Sequence, residues 1–211
     1  MLSSPSGGGK TSIAKGLVAT RGDVVYSISA TTRAPRGGES DGQSYWFLSR
    51  ERFEEGIAAG EFLEWAEYGG NLYGTLQGEV SKGIAAGKHV VLDIEVQGAE
   101  QLRTRVENGV HVFVLPPTGA ELVRRLAGRG TEDAAAVARR LAIAGEELGV
   151  ASRYDYLVVN RELDQAVEDV SNIIDAECRR VRRQTRLDTV VSQFRRELAA
   201  AASPERPSGA D

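Results

Sequence analysis

The run Ser4-Pro5-Ser6-Gly7-Gly8-Gly9-Lys10-Thr11 carries the first chemistry of the chain. It approaches the phosphate-binding pattern G-x-x-x-x-G-K-[ST]. There, glycines let successive backbone N–H groups turn inward on a phosphate, and the following helix adds the positive end of its dipole. A helical stretch, Ile13 to Ala19, follows at once. In such a loop Lys10 reaches the β- and γ-phosphates of a nucleotide and the Thr11 hydroxyl is a Mg²⁺ ligand. Ser4 stands where the pattern has its first glycine. The competing reading is a flexible Gly/Ser leader, which has no need of Lys-Thr at a helix start. A phosphate loop normally follows a buried strand of about five residues, and only Met1–Ser3 precede this one. The expectation is a truncated first strand or a start lying upstream, with the sheet short at a central position.

A second segment could receive what the first delivers. Ser29 to Phe47 contains Arg33 and Arg36, three residues apart, with Tyr45 nine residues beyond. Two guanidinium forks and a phenol hydroxyl suit one doubly charged phosphate. Pro35 and the pair Gly37-Gly38 fix the loop that carries them. Taken alone, the same residues also describe a solvated basic loop.

The elements that must position these groups alternate between β-rich and helical patterns. Val24–Ile28, Val90–Ile94, Val110–Leu115 and Tyr156–Val159 read as strands, mostly continuous in apolar residues, as a sheet covered on both faces requires. Thr118 with Glu121 forms a capping-box start to a helix carrying Leu122 and Leu126. Glu132 to Leu148 places Val137, Leu141, Ala144 and Leu148 on one helical face. Asp164 to about Leu198 reads as a further helical segment through Val167, Val170, Ile174 and Val181. Such alternation predicts an α/β fold with a mainly parallel sheet. The polar stretch from Ser29 to Asn71 breaks it and predicts a small subdomain of short antiparallel strands.

Composition narrows the class. The 211 residues are 41% hydrophobic and 27% charged, with net charge −4, an ordinary globular balance. No run approaches the roughly 18 apolar residues of a membrane span, and the mild charge points to neither nucleic acid nor an anionic membrane as partner. The start lacks an apolar signal core, so export is not expected. Cys178 is the sole cysteine, which fits a reducing cytoplasm. His89 and His111 have no partner constellation for a metal. The arginine run Arg179 to Arg186 reads as a solvated helix face rather than a nucleic-acid patch.

From Ser3 to about Arg186 the chain resembles guanylate kinase. The resemblance rests on SxPSGxGK[ST], S-x-TTRxPRxGExxGxxYxF, FLEWAEYxGNxYGT, LDIxxQG and RLxGRGTE, in the family's order and spacing. It implies an α/β fold of the P-loop NTPase type, a mainly parallel sheet flanked by helices. Its core would be residues 1–28, 76–117 and 150–198, with a small mixed GMP-binding insert (29–75), a helical lid (118–149) and a disordered tail (199–211). The implied activity moves the γ-phosphoryl of ATP to GMP, giving ADP and GDP, with Mg²⁺ accompanying ATP. Oligomeric state is left open.

By the same resemblance Ser4, Pro5, Ser6, Gly7, Gly8, Gly9, Lys10, Thr11 and Asn160 bind ATP. Arg33, Arg36, Tyr45 and Tyr73 hold the GMP phosphate, while Ser29, Glu64, Thr75 and Asp93 read guanine. Lys10, Arg33, Asp93 and the lid arginines Arg125, Arg129 and Arg140 are implied in catalysis. Thr75 stands where some members have serine, Glu95 where many have aspartate, and Arg161-Glu162 where two aspartates are common. Taken singly, Glu64 reads as an exposed charge, Asp93 as a strand-end helix cap, and the lid arginines as partners of Glu121, Glu132 or Glu146. Two other functions fit parts of the pattern: a non-catalytic relative binding phosphorylated peptides at Arg33, Arg36 and Tyr45, and a related kinase for another acceptor. Intact Lys10 and Thr11 disfavour the first. Glu64 with Ser29 and Thr75 disfavours the second.

Overall fold

The computed structural model describes residues 1–127 and 134–202. The first elements are β1 (Leu2–Ser3), α1 (Lys10–Thr20), β2 (Val24–Tyr26), β3 (Ala30–Thr31), β4 (Trp46–Phe47) and α2 (Arg50–Ala58). Next come β5 (Phe62–Tyr68), β6 (Asn71–Leu76), α3 (Gln77–Ala85), β7 (His89–Val91), α4 (Val96–Arg105) and β8 (Val112–Leu115). The remainder is α5 (Gly119–Ala127), α6 (Ala134–Leu148), β9 (Tyr156–Val159), α7 (Leu163–Cys178) and α8 (Leu187–Ala202). The chain divides into two compact units, Met1–Val170 and Ser171–Asp211.

In the first unit β1 pairs in parallel with β8, β8 with β9, and β2 with β7. Leu2 joins the two groups. Its N–H donates to Leu92 O at 2.8 Å and its carbonyl accepts from Ile94 N at 3.2 Å. The parallel order is therefore β2-β7-β1-β8-β9, with β1 central although only two residues long. Val112, Phe113 and Val114 of β8 are all buried, the apolar continuity expected of a strand covered on both faces. All four strands expected from the apolar runs are present, within two residues at their starts and up to three at their ends.

The insert forms a second sheet in the order β4-β3-β6-β5. It is mixed, since β3 runs parallel to β4 and antiparallel to β6, as the family resemblance implied; the Ser29–Asn71 stretch read by itself predicted short antiparallel strands, and β3–β4 departs from that. Gly69 and Gly70 turn β5 into β6 with φ of 58° and 78°, the positive values a tight primed hairpin turn needs. That turn sets a register in which Glu64 lies opposite Thr75, beyond a bulge between Phe62 and Glu64. Phe53 of α2, fully buried, stacks on Phe62 with centroids 4.3 Å apart and packs with Ala30 and Leu72 beneath the sheet. Ser49 caps α2 by accepting from Arg52 N.

Thr118 accepts from Glu121 N at 3.1 Å, so the expected cap of α5 forms. Leu122 and Leu126 then pack with Leu141 and Ala144 of α6. Leu148, expected on that same face, is 41% exposed, because the face ends one turn earlier. The Val137 side chain and Arg129 lie outside the described residues.

The second unit departs from the expected continuous helix. Glu177 accepts from Arg180 at 2.8 Å and Arg183 at 2.9 Å, and Gln184 donates to the Cys178 carbonyl at 2.5 Å. These contacts satisfy the end of α7 and fold Val181–Arg183 into a 3₁₀ turn, so the arginine run is a bend rather than a helix face. Helix α8 continues through Ala202, and residues 199–202, expected to be disordered, are helical. Residues 203–211 lie outside the described set. Among the described residues no helix is long and apolar enough to cross a membrane.

Phe53→Ala removes a fully buried aromatic side chain from the insert's core. It is expected to lower stability by about 3–5 kcal/mol, read as a shifted urea midpoint with unchanged slope.

Candidate active site

The phosphate loop leaves the carboxyl end of β1, where ligands of open parallel sheets bind. Gly7 and Gly9 have φ of 88° and 99°, and Gly9 begins α1 with no side-chain cap. The first N–H groups of α1 thus face the cleft without a side-chain partner, the arrangement anions favour. Among the described residues only glycines have positive φ, so Ser4 keeps an ordinary backbone and needs no glycine there. Its hydroxyl donates to Pro5 O at 2.8 Å and its carbonyl accepts from the Lys10 ammonium at 3.3 Å. Asn160, following β9, donates to Gly8 O at 3.1 Å and holds the loop from behind.

Lys10 is nearly buried, 3.5 Å from a Glu95 oxygen and 3.9 Å from Asp93. Burial works against its charge, but Glu95, Asp93 and Glu147 outweigh that and raise its pKa. The Thr11 hydroxyl donates to Asp93. A hydroxyl and a carboxylate beside a phosphate loop are hard oxygen donors of the type Mg²⁺ takes when nucleotide phosphates complete its shell, so the residues fit that ion.

A single cleft of about 580 Å³ joins the phosphate loop to the insert. Its lining brings together Lys10, Thr11, Ser29, Arg33, Arg36, Tyr45, Glu64, Tyr73 and Asp93. The register of the β5–β6 hairpin delivers the Thr75 hydroxyl to Glu64 Oε1 at 2.6 Å, and both side chains are buried. Burial pushes the Glu64 carboxyl up, with Thr75 acting in the opposite sense. The Tyr45 and Tyr73 rings meet edge-on at 6.1 Å, and the Arg33 guanidinium lies 5.4 Å from the centre of the Tyr45 ring.

Arg125 and Asn160 border a neighbouring open cleft of about 480 Å³ with Gly7, Gly9 and Ser12. Arg125 donates to Glu121 at 2.7 Å, the pairing the helix spacing allows. Arg140 reaches the phosphate loop instead, with Ser6 Oγ 3.4 Å away. Pro5, within the loop, is buried.

Two site residues escape reading by type and spacing. Glu39 accepts from Arg33 at 2.9 Å and from the Arg36 backbone at 2.7 Å, which locks the arginine loop. Its signal was its place six residues after Arg33. Glu147 of α6 lies 3.4 Å from Ser6 N; nothing local in the sequence separates it from Glu146.

The Guanylate kinase family model matches residues 1–177. A guanylate kinase of Desulfitobacterium hafniense is 47% identical over 184 residues, covering 87% of this chain and 92% of that protein. One from Enterococcus faecalis is 48% identical, covering 92% and 93%. The crystal structure of guanylate kinase from Anaplasma phagocytophilum superposes with a TM-score of 0.76 at 32% identity, over 92% of this chain and 93% of that one.

Glu147 supplies a pH test. Its carboxyl is pushed up from 4.5 to about 7, by burial first and Glu95 second. The folded protein therefore holds this proton to higher pH than the unfolded chain, and the group's contribution to stability falls as pH rises between those values. Glu147→Gln is expected to melt with the parent at pH 5 and above it at pH 8; equal melting at both would contradict the assignment.

Proposed function

The chain belongs to the guanylate kinase family of phosphotransferases, which act on ATP and GMP, and we propose that it transfers the γ-phosphoryl of ATP to GMP, giving ADP and GDP. The observation that carries this reading is one cleft lined both by Lys10 with its phosphate loop and by Glu64, whose Oε1 takes the buried Thr75 hydroxyl.

The donor side follows from the loop. Its inward N–H groups and the Lys10 ammonium take the β- and γ-phosphates, with Asn160 keeping the loop in shape. Thr11 and Asp93 would hold the Mg²⁺ that accompanies ATP, and that ion neutralises phosphate charge. On the acceptor side Arg33 and Arg36 fork onto the GMP phosphate, and the Tyr45 and Tyr73 hydroxyls donate to it. Guanine presents N1–H and the 2-amino group as adjacent donors, which one carboxylate accepts together. Adenine has an acceptor at N1, so it would leave buried Glu64 unpaired. Ser29 completes that edge.

With both substrates seated, a GMP phosphate oxygen attacks the γ-phosphorus and the bond to the β,γ-bridging oxygen breaks, so ADP departs with the electron pair. Such transfer is mostly alignment and charge stabilisation. Lys10 and Arg33 supply positive charge from the two sides, and Arg125, Arg129 and Arg140 supply it from the lid. Closing the lid over the cleft would also exclude water. A reducing cytoplasm suits the single thiol, Cys178.

An ADP-release assay with ATP and Mg²⁺ tests this reading, offering GMP, AMP or no acceptor. Turnover is expected with GMP alone; equal turnover with AMP would remove the guanine assignment. Lys10→Ala should lower kcat by a factor on the order of 100 or more while leaving GMP binding, read by calorimetry, nearly unchanged. Parallel loss of both would contradict separate donor and acceptor sites.

A further inference from the structure

Gly98 lies in the first turn of α4, facing Glu64. A Cβ built there would sit 2.2 Å from Glu64 Oε2, 2.8 Å from Cδ and 3.5 Å from Cγ, and these are its three nearest neighbours. The other carboxylate oxygen, Oε1, takes the Thr75 hydroxyl. The side chain is thus confined between a hydroxyl on one oxygen and the bare flank of a helix on the other.

The backbone gives no reason for glycine here. The φ of Gly98 is not in the left-handed region, and a helix interior prefers alanine to glycine by about 1 kcal/mol. No backbone atom is among the nearest neighbours either, so close packing of α4 onto another main chain does not demand it. What glycine leaves open is the volume beside the Glu64 carboxylate.

We infer that Gly98 is a specificity-determining positioning residue for the acceptor base. It acts through Glu64, keeping space for the carboxylate to lie with both oxygens directed at adjacent donors. The inference rests on the reading of Glu64 as the guanine reader. Any side chain at position 98 meets the far end of a flexible side chain rather than backbone. The fold therefore absorbs the change by moving Glu64, and the site bears the consequence.

The test compares Gly98→Ala, Glu64→Ala and the double variant, using GMP and inosine monophosphate, which keeps N1–H but lacks the 2-amino group. Gly98→Ala should raise KM for GMP roughly 10- to 100-fold, the size of one charged hydrogen bond lost, with KM for ATP unchanged. The preference for GMP over inosine monophosphate should fall, and melting temperature should not. In the Glu64→Ala background the same substitution should have no further kinetic effect, since sites that act as one are non-additive. If Glu64→Ala leaves the base preference intact, the guanine reading itself fails. If Glu64→Ala abolishes the preference but Gly98→Ala preserves it, only the role of Gly98 fails. Should Gly98→Ala not fold, the double variant decides: folding restored by removing Glu64 supports the contact, and continued unfolding overturns it.

Discussion

Leu2 bonds to strands on both sides of it, and the position of the whole proposed donor site follows from that pairing. Its contacts with Leu92 and Ile94 fix β1 against the end of β7, and its register with Val112 fixes it against β8. The chain that leaves Ser3 must then turn beside Asp93 and Glu95, which leave the neighbouring strand at the same edge. Parallel strands end their carbonyl sides together, and so the loop glycines, Lys10, Thr11 and Asp93 meet without any long-range side-chain code. Both edges of this two-residue strand carry hydrogen bonds.

The electrostatics of the cleft follow from that convergence. Lys10 would be poorly placed as a lone buried ammonium, but the carboxylates around it keep it charged. Burial and the nearby Glu95 push the Glu147 carboxyl up to about 7. On the acceptor side the balance is different. Glu39 neutralises Arg33 and ties it to Arg36, so that two like charges are held in one loop. A phosphate at the proposed acceptor site would meet the Arg33 guanidinium already oriented by Glu39, with little side-chain freedom left to lose.

Those particulars separate what the sequence made legible from what it did not. The glycine run with Lys10 and Thr11 is local chemistry, and the sheet strands are continuous apolar runs; both could be read directly. The Thr118 cap was also legible, since its partner N–H lies three residues on. Only half the capping box forms, because the Glu121 carboxylate turns to Arg124 and Arg125. The bend after α7 was hidden because its apolar periodicity continues through Val181, whereas Glu177 and Gln184 stop the helix by side-chain contacts. Glu147 was hidden for a similar reason: its environment comes from Lys10 and Glu95, more than fifty residues distant.

The two halves of the cleft are also built from different kinds of structure. The donor loop hangs from the central strand of a parallel sheet and is braced from behind by Asn160. Glu64, the proposed base reader, sits on a hairpin whose register is set by Gly69-Gly70, five to six residues beyond it. A slip of one residue in that hairpin would turn Glu64 to the opposite face. The bulge at Phe62, the stacked Phe53 beneath it and the Thr75 hydroxyl all oppose such a slip. Under the proposed assignment, base recognition would depend on the packing of the insert and phosphate recognition on the pairing of the core sheet. A defect in either support would disturb one half of the cleft and leave the geometry of the other in place.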